Sequence, residues 1–293
     1  MIARRNDFVL FTVVAFVLAW VAGSGPWIDG HGLESALWLH SGALLMMLTP
    51  TLGVLAVWRL RERSWREFVR EIGLTLGERP RRTVALIAAA WLGAPLFLLV
   101  GFGLSAVFGW YSFEFGRAEL VVVVLLDSLT VNALSTVVFA LGEEIGWRGW
   151  LLPQLARRFG LASGLLITGV IWALWHAPLT LLGYNYPNLG RWAALAFIGF
   201  CVPFGAILGW LRLSANSVWP CTVAHASLNA AVIPFSLFES PVHQSNPLLT
   251  GFGLTGWAIL AAIAAALFTC FPLRSPSRRA RIIATDHPQP LLG

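Results

Sequence analysis

The chain has 293 residues, 57% of them hydrophobic and only 12% charged, with a mean hydropathy of +0.74. A soluble domain carries about 25% charged residues, so this composition excludes one and points to a single integral membrane domain, all-α in class. The net charge of +6 and pI near 10.2 suggest nucleic acid, but all 20 basic residues are arginine and their placement has another explanation.

Eight apolar runs follow one another along the chain: Phe8–Ile28, Ala36–Trp58, Thr83–Phe108, Leu120–Gly142, Ala162–Leu182, Trp192–Leu211, Ser217–Phe235 and Phe252–Pro272. Each approaches or exceeds the ~20 residues that a helix needs to cross the hydrocarbon. The first could be a secretory signal, since Arg4 and Arg5 precede it. Its uncharged length and the lack of a small-residue cleavage site after Ala22 favour an uncleaved helix. Threaded alternately from a cytosolic N-terminus, about eight spans sort the arginines sharply. Eighteen fall on one side and only Arg117 and Arg191 on the other, together with Asp29, Glu34, Glu114, Glu119 and Glu239. Arginine-rich loops stay in the cytosol, so both termini are expected there, with the chain in a bacterial plasma membrane. Topology thus accounts for the basic pI, and no nucleic-acid partner is implied.

Between the second and third runs, Arg59–Arg82 mixes arginine with Glu62, Glu67, Glu71 and Glu78. Trp65, Phe68, Val69 and Ile72 recur there at helical spacing, which suggests an amphipathic helix lying on anionic headgroups; a solvated connector is the alternative. Within the fourth run Asp127 has no partner visible in sequence, and it is expected to bond a serine or asparagine of a neighbouring helix.

After the fourth run comes Glu143-Glu144-Ile145-Gly146-Trp147-Arg148. Ionisable side chains at membrane depth cost at least ~2.5–3.5 kcal/mol each and mark functional sites by default. Glu144 and Arg148 are four apart in the favourable acid-first order. Glu143 lies about 100° around the helix and is left free to act as a general base on water. Two interfacial carboxylates at a helix end would give the same charges.

His176, in the fifth run, is either a packed core histidine or a partner of Glu143. A hairpin turning near Phe159 puts the two at nearly the same height, about 25 Å from the turn. That depth suits a site near the cytosolic face only if the Arg148–Arg158 end projects from the bilayer, as is expected here. His225 and Asn229, four apart in the seventh run, share one helix face. They form either a second half of the site or a polar pair joining helices. Cys201, Cys221 and Cys270 make no CxxC pair and are expected to be buried thiols. The tail 274–293, rich in Pro, Ser and Arg, is expected to be disordered.

Taken together, Glu143-Glu144 with Arg148, Trp172 with His176, and His225 with Asn229 resemble the EExxxR, FxxxH and HxxxN signatures of the CAAX-protease and bacteriocin-processing (CPBP) intramembrane proteases, which include type II CAAX prenyl proteases. Trp172 stands where the family pattern has Phe, a departure expected to alter pocket shape. The resemblance implies a catalytic core at about 120–236. It implies peptide-bond hydrolysis, near the cytosolic face, of membrane-associated peptides or proteins, either prenylated tails or leaders. Glu143 would activate water with help from His176. His225 and Asn229 would stabilise the oxyanion, and Glu144 and Arg148 would orient the site. A zinc version would use Glu143, His176 and His225 as ligands; a metal-independent glutamate mechanism is the preferred expectation, and no HExxH supports zinc. A proton-coupled transporter using Asp127, Glu143 and His176, or an inert scaffold or immunity protein, are the rivals. The oligomeric state is not legible.

Overall fold

The computed structural model describes residues 4–36, 38–61, 64–116, 118–242 and 245–273. The tail 274–293, with its expected disorder, lies outside them, as do Arg63 and Arg117. The protein is an all-α polytopic membrane protein. Among the described residues, β-structure is limited to one isolated bridge between Phe113 and Glu239.

Helix α1 (Arg5–Ala22) starts where the Asp7 carboxylate accepts the Arg4 backbone N–H, and α2 (Ala43–Leu60) packs along its length. An ion pair between Asp7 and Arg61 ties the two helices at their arginine-bearing ends. Helix α3 (Trp65–Ile72) begins with a reciprocal cap between Ser64 and Glu67 and stops at the left-handed Gly73. Helix α4 (Pro80–Val107) is the longest, at 28 residues.

A helical rod of 42 residues then runs from Ala118 to Phe159. It comprises α5 (Ala118–Leu129), α6 (Val131–Glu144), a π-helical stretch over Ile145–Leu151, and α7 (Leu152–Phe159). Glu143 and Glu144 therefore sit inside a rod that continues past Gly142, and the chain turns where the expected hairpin turn near Phe159 falls. Gly160, at φ +84°, reverses the chain into α8 (Leu161–Trp175). Helix α9 (Ala193–Ala215) follows, and Asn216 in the left-handed region turns it into α10 (Trp219–Ala231). Helix α11 (Leu254–Cys270) closes the bundle against α9, while α10 lies between α4 and α6.

All eight expected segments contain helix. Five rods are long and apolar enough to cross a membrane, and α8 and α11 are shorter apolar helices. Helix α10, with 13 residues, is only about 20 Å long at 1.5 Å per residue, well short of the ~30 Å hydrocarbon thickness.

Two further expectations are corrected. The amphipathic segment is a helix, but its apolar face docks on protein and not on headgroups: Phe68 and Ile72 are buried, and the Phe68 ring packs against Trp58 and Trp65. Gly149 makes that docking possible, because a Cβ there would stand 3.0 Å from the Ile72 carbonyl oxygen. Cys201 and Cys221 are buried thiols as expected, whereas Cys270 is exposed.

Candidate active site

Three segments bring their polar side chains together. The long rod contributes Glu143, Glu144 and Arg148, the C-terminal end of α8 contributes His176, and α10 contributes His225 and Asn229. Glu143, His176, His225 and Asn229 line one cavity of about 190 Å³. Glu144 and Arg148 lie behind it, both 0% exposed.

The two carboxylates are held differently. Glu144 Oε1 accepts from Arg148 Nη1 at 2.7 Å and from His225 Nδ1 at 2.9 Å. A carboxylate oxygen only accepts, so His225 carries its proton on Nδ1. Its Nε2 faces away from Glu144, on the cavity side. Glu143 Oε2 accepts two indole N–H bonds, from Trp172 Nε1 at 2.8 Å and from Trp147 Nε1 at 3.3 Å. Neither indole engages Oε1.

Trp172 is the hub of this arrangement. Its ring lies 5.2 Å from His225 and 5.9 Å from His176, and the Arg148 guanidinium stacks over it at 4.1 Å. That cation–π contact matters because Nε and Nη2 of Arg148 make no hydrogen bond; a desolvated contact of this kind contributes about 2 kcal/mol. His176 Nδ1 bonds the Trp172 carbonyl at 2.9 Å. A carbonyl only accepts, so in the neutral ring Nε2 is the acceptor.

All seven residues singled out in the three sequence signatures are gathered here. Asp127 is not: it is exposed on α5 and does not line the cavity. The expected bond to a neighbouring helix is not formed among the described residues, and the Asp127–Glu143–His176 relay of the transporter reading is not assembled. Two contributors were missed or undervalued in sequence. Trp147, four residues beyond Glu143, carried a readable signal in that spacing. Trp172 offers Glu143 a proton that Phe could not, which is a larger change than pocket shape.

The atoms that Glu143, His176 and His225 leave unused are Glu143 Oε1 and the two histidine Nε2 atoms, since Glu143 Oε2 is held by two N–H donors and each Nδ1 by an oxygen. Among the described residues no three of His, Cys, Asp and Glu converge as ligands to a metal would.

The level of the site along α1 follows from its contacts there. Trp175 Nε1 donates to the Ala15 carbonyl and to the Thr49 hydroxyl, both at 3.2 Å, and its ring lies 5.8 Å from Trp147. Val9, Val13, Val17 and Val21 form an exposed apolar stripe along α1, and Ala15 lies midway along it. Beyond His176 the chain reaches the far end of α1, where Trp27 Nε1 donates to the Pro178 carbonyl at 2.8 Å. The half-exposed Trp38 and Asn185 and the exposed Tyr184 also line the cavity. Toward the arginine-bearing end, residues 145–152 are all buried, and Trp150 packs on Phe8 and Phe11. Within the Arg148–Arg158 end, Arg148 is sealed in the core, whereas Arg157 and Arg158 at the end of α7 are exposed.

This constellation has relatives. Residues 125–231 match the family model described as Type II CAAX prenyl endopeptidase Rce1-like. The chain is 32% identical over 92 residues to CAAX prenyl protease 2 of Methanococcus maripaludis, an alignment covering 30% of this chain and 34% of the relative. The chain thus matches about a third of the length of that curated relative. The family match runs from the rod through α8 and α9 to the end of α10, and so takes in Glu143, Glu144, Arg148, His176, His225 and Asn229.

Proposed function

We propose that the protein is an intramembrane endopeptidase that hydrolyses peptide bonds of membrane-associated polypeptides by glutamate-activated water. The observation that carries this reading is the unequal treatment of the two carboxylates. Glu144 is neutralised by Arg148 and His225, while Glu143 faces the cavity with only Oε2 engaged.

In this mechanism Glu143 Oε1 accepts a proton from water, and the water oxygen attacks the scissile carbonyl carbon. His176 Nε2 accepts from the same water and fixes its approach. The carbonyl becomes an oxyanion that receives a hydrogen bond from the Asn229 amide and, when His225 Nε2 carries a proton, a second from that nitrogen. Collapse of the tetrahedral species breaks the C–N bond, and the proton held on Glu143 passes to the leaving amine. Donors preorganised away from bulk water make large contributions to such steps.

Cleavage of a peptide panel by the purified protein tests this directly. Activity should survive exhaustive chelation, and elemental analysis should find no stoichiometric metal. His225→Ala and Asn229→Ala should each lower kcat about a hundredfold or more. One tightly bound zinc per active chain, lost together with activity in His176→Ala and His225→Ala, would replace the glutamate mechanism by a metal-dependent one.

A further inference from the structure

Most of the cavity wall is apolar or already engaged. Besides the catalytic groups and the indoles, three polar side chains line it: Thr136, Tyr184 and Asn185. The Thr136 hydroxyl donates to the Asn132 carbonyl at 2.7 Å. The Tyr184 hydroxyl and the Asn185 carboxamide find no hydrogen-bond partner among the described residues. Both belong to the turn that follows His176, and that turn is held from several sides. Gly183 and Asn185 take the left-handed region, at φ +96° and +63°, which Gly and Asn tolerate best. The Tyr184 N–H donates to the Leu179 carbonyl at 3.1 Å. Tyr186 is buried, and its hydroxyl donates to the Phe252 carbonyl at 2.6 Å while Trp257 Nε1 donates to it at 3.3 Å. The Tyr184 ring runs parallel to that of His176, with centroids 6.5 Å apart.

A fixed turn thus presents two unspent polar groups beside the catalytic histidine. A carboxamide offers both an acceptor oxygen and N–H donors, and a phenol donates one hydrogen bond. In an extended chain the N–H and C=O of one residue point the same way, as they do in strand pairing. We propose that Tyr184 and Asn185 form a subsite for the backbone of an extended polypeptide. Asn185 pairs with the N–H and C=O of one residue, and Tyr184 donates to a neighbouring carbonyl. Recognition there is of backbone and not of side-chain sequence. That the bound strand continues to a scissile bond rests on the endopeptidase reading; its capture does not.

Binding separates the subsite from the chemistry. A fluorescein-labelled apolar peptide is titrated into purified Glu143→Gln protein in detergent and followed by anisotropy. The titration is repeated with Tyr184→Phe or Asn185→Gly added; glycine keeps the left-handed turn. Each change should weaken binding about three- to tenfold, the range of one neutral hydrogen bond. Among singly N-methylated peptides, one should bind the parent more weakly by a similar factor yet bind Asn185→Gly no more weakly than the unmethylated peptide does. A merely structural role for Asn185 would not produce that coupling. With Glu143 intact, the same two changes should raise KM and leave kcat within about twofold. Unchanged binding in both variants, or a methylation effect that survives Asn185→Gly, overturns the subsite. Tyr184→Phe, which deletes one oxygen atom, carries the test should Asn185→Gly fail to accumulate. Binding that depends on these residues in a protein whose wild type cleaves no peptide keeps the subsite and counts against the endopeptidase reading. Cleavage by the wild type with KM unchanged in both variants does the reverse.

Discussion

At the scale of single residues, the site turns on how one carboxylate is kept usable in a dry environment. A buried charge left without partners is strongly destabilising, by about 3–5 kcal/mol when one member of a buried pair is removed. Glu144 meets this cost with Arg148 and His225, whereas Glu143 meets it with two indole donors on one oxygen. Hydrogen bonds to charged groups contribute roughly 1.5–3 kcal/mol each. Trp172→Phe keeps the ring that stacks with Arg148 and deletes only the N–H, so it isolates this term. It should lower kcat about tenfold or more with little change in KM, within that range of energies. Trp147→Phe, which deletes a longer bond, should do less. Equal turnover in Trp172→Phe and wild type, measured on the same peptide, would remove Trp172 from the positioning of Glu143. The pairing of Glu144 with Arg148 was legible in sequence because it is a local, four-residue relation. The pairing of Glu144 with His225 was not, since it joins residues 81 positions apart through the packing of the rod on α10.

At the scale of elements, the rod carrying Glu143 is held by close helix approach. A Cβ on Gly146 would lie 2.3 Å from Pro50 Cβ, and one on Gly142 would lie 2.8 Å from the Met47 carbonyl oxygen. The Thr51 hydroxyl also donates to the Gly142 carbonyl at 2.6 Å. Small residues at such contacts let backbones approach where lipid supplies no hydrophobic drive. Gly146→Ala must therefore push α2 from the π-helical stretch, at a cost of about 1–3 kcal/mol for overpacking. It should lower the melting temperature in detergent and the turnover together; unchanged stability would show that the contact is not tight. The apolar runs gave the existence of the helices, because length and hydropathy are local properties. The π-helical stretch at Ile145–Leu151 was not readable, because Arg148 looks like an exposed charge until its burial against Glu144 and Trp172 is seen. Helix α3 shows the same limit: its amphipathic pattern fits headgroups or protein equally, and only the approach of Ile72 to Gly149 decides for protein.

At the scale of the whole molecule, the Asp7–Arg61 pair and helix α3 lie at one end of the bundle, and the cavity lined by Glu143, His176 and His225 takes nothing from α3. The arginine distribution was legible from the sequence, and the equal height of Glu143 and His176 followed from counting residues to a turn at Gly160. The docking of Trp175 on α1 was not legible, because it is a tertiary contact across 160 residues. The central claim is that Glu143, and not a bound metal, activates the attacking water. The most direct test is the turnover of a peptide panel by chelated wild-type protein and by Glu143→Gln, each reconstituted in liposomes and shown to be folded by its melting temperature. The account predicts sustained cleavage by the wild type and none by a Glu143→Gln protein of near wild-type stability, whereas comparable cleavage by Glu143→Gln, or a wild type silenced by chelation and restored by zinc, would contradict it.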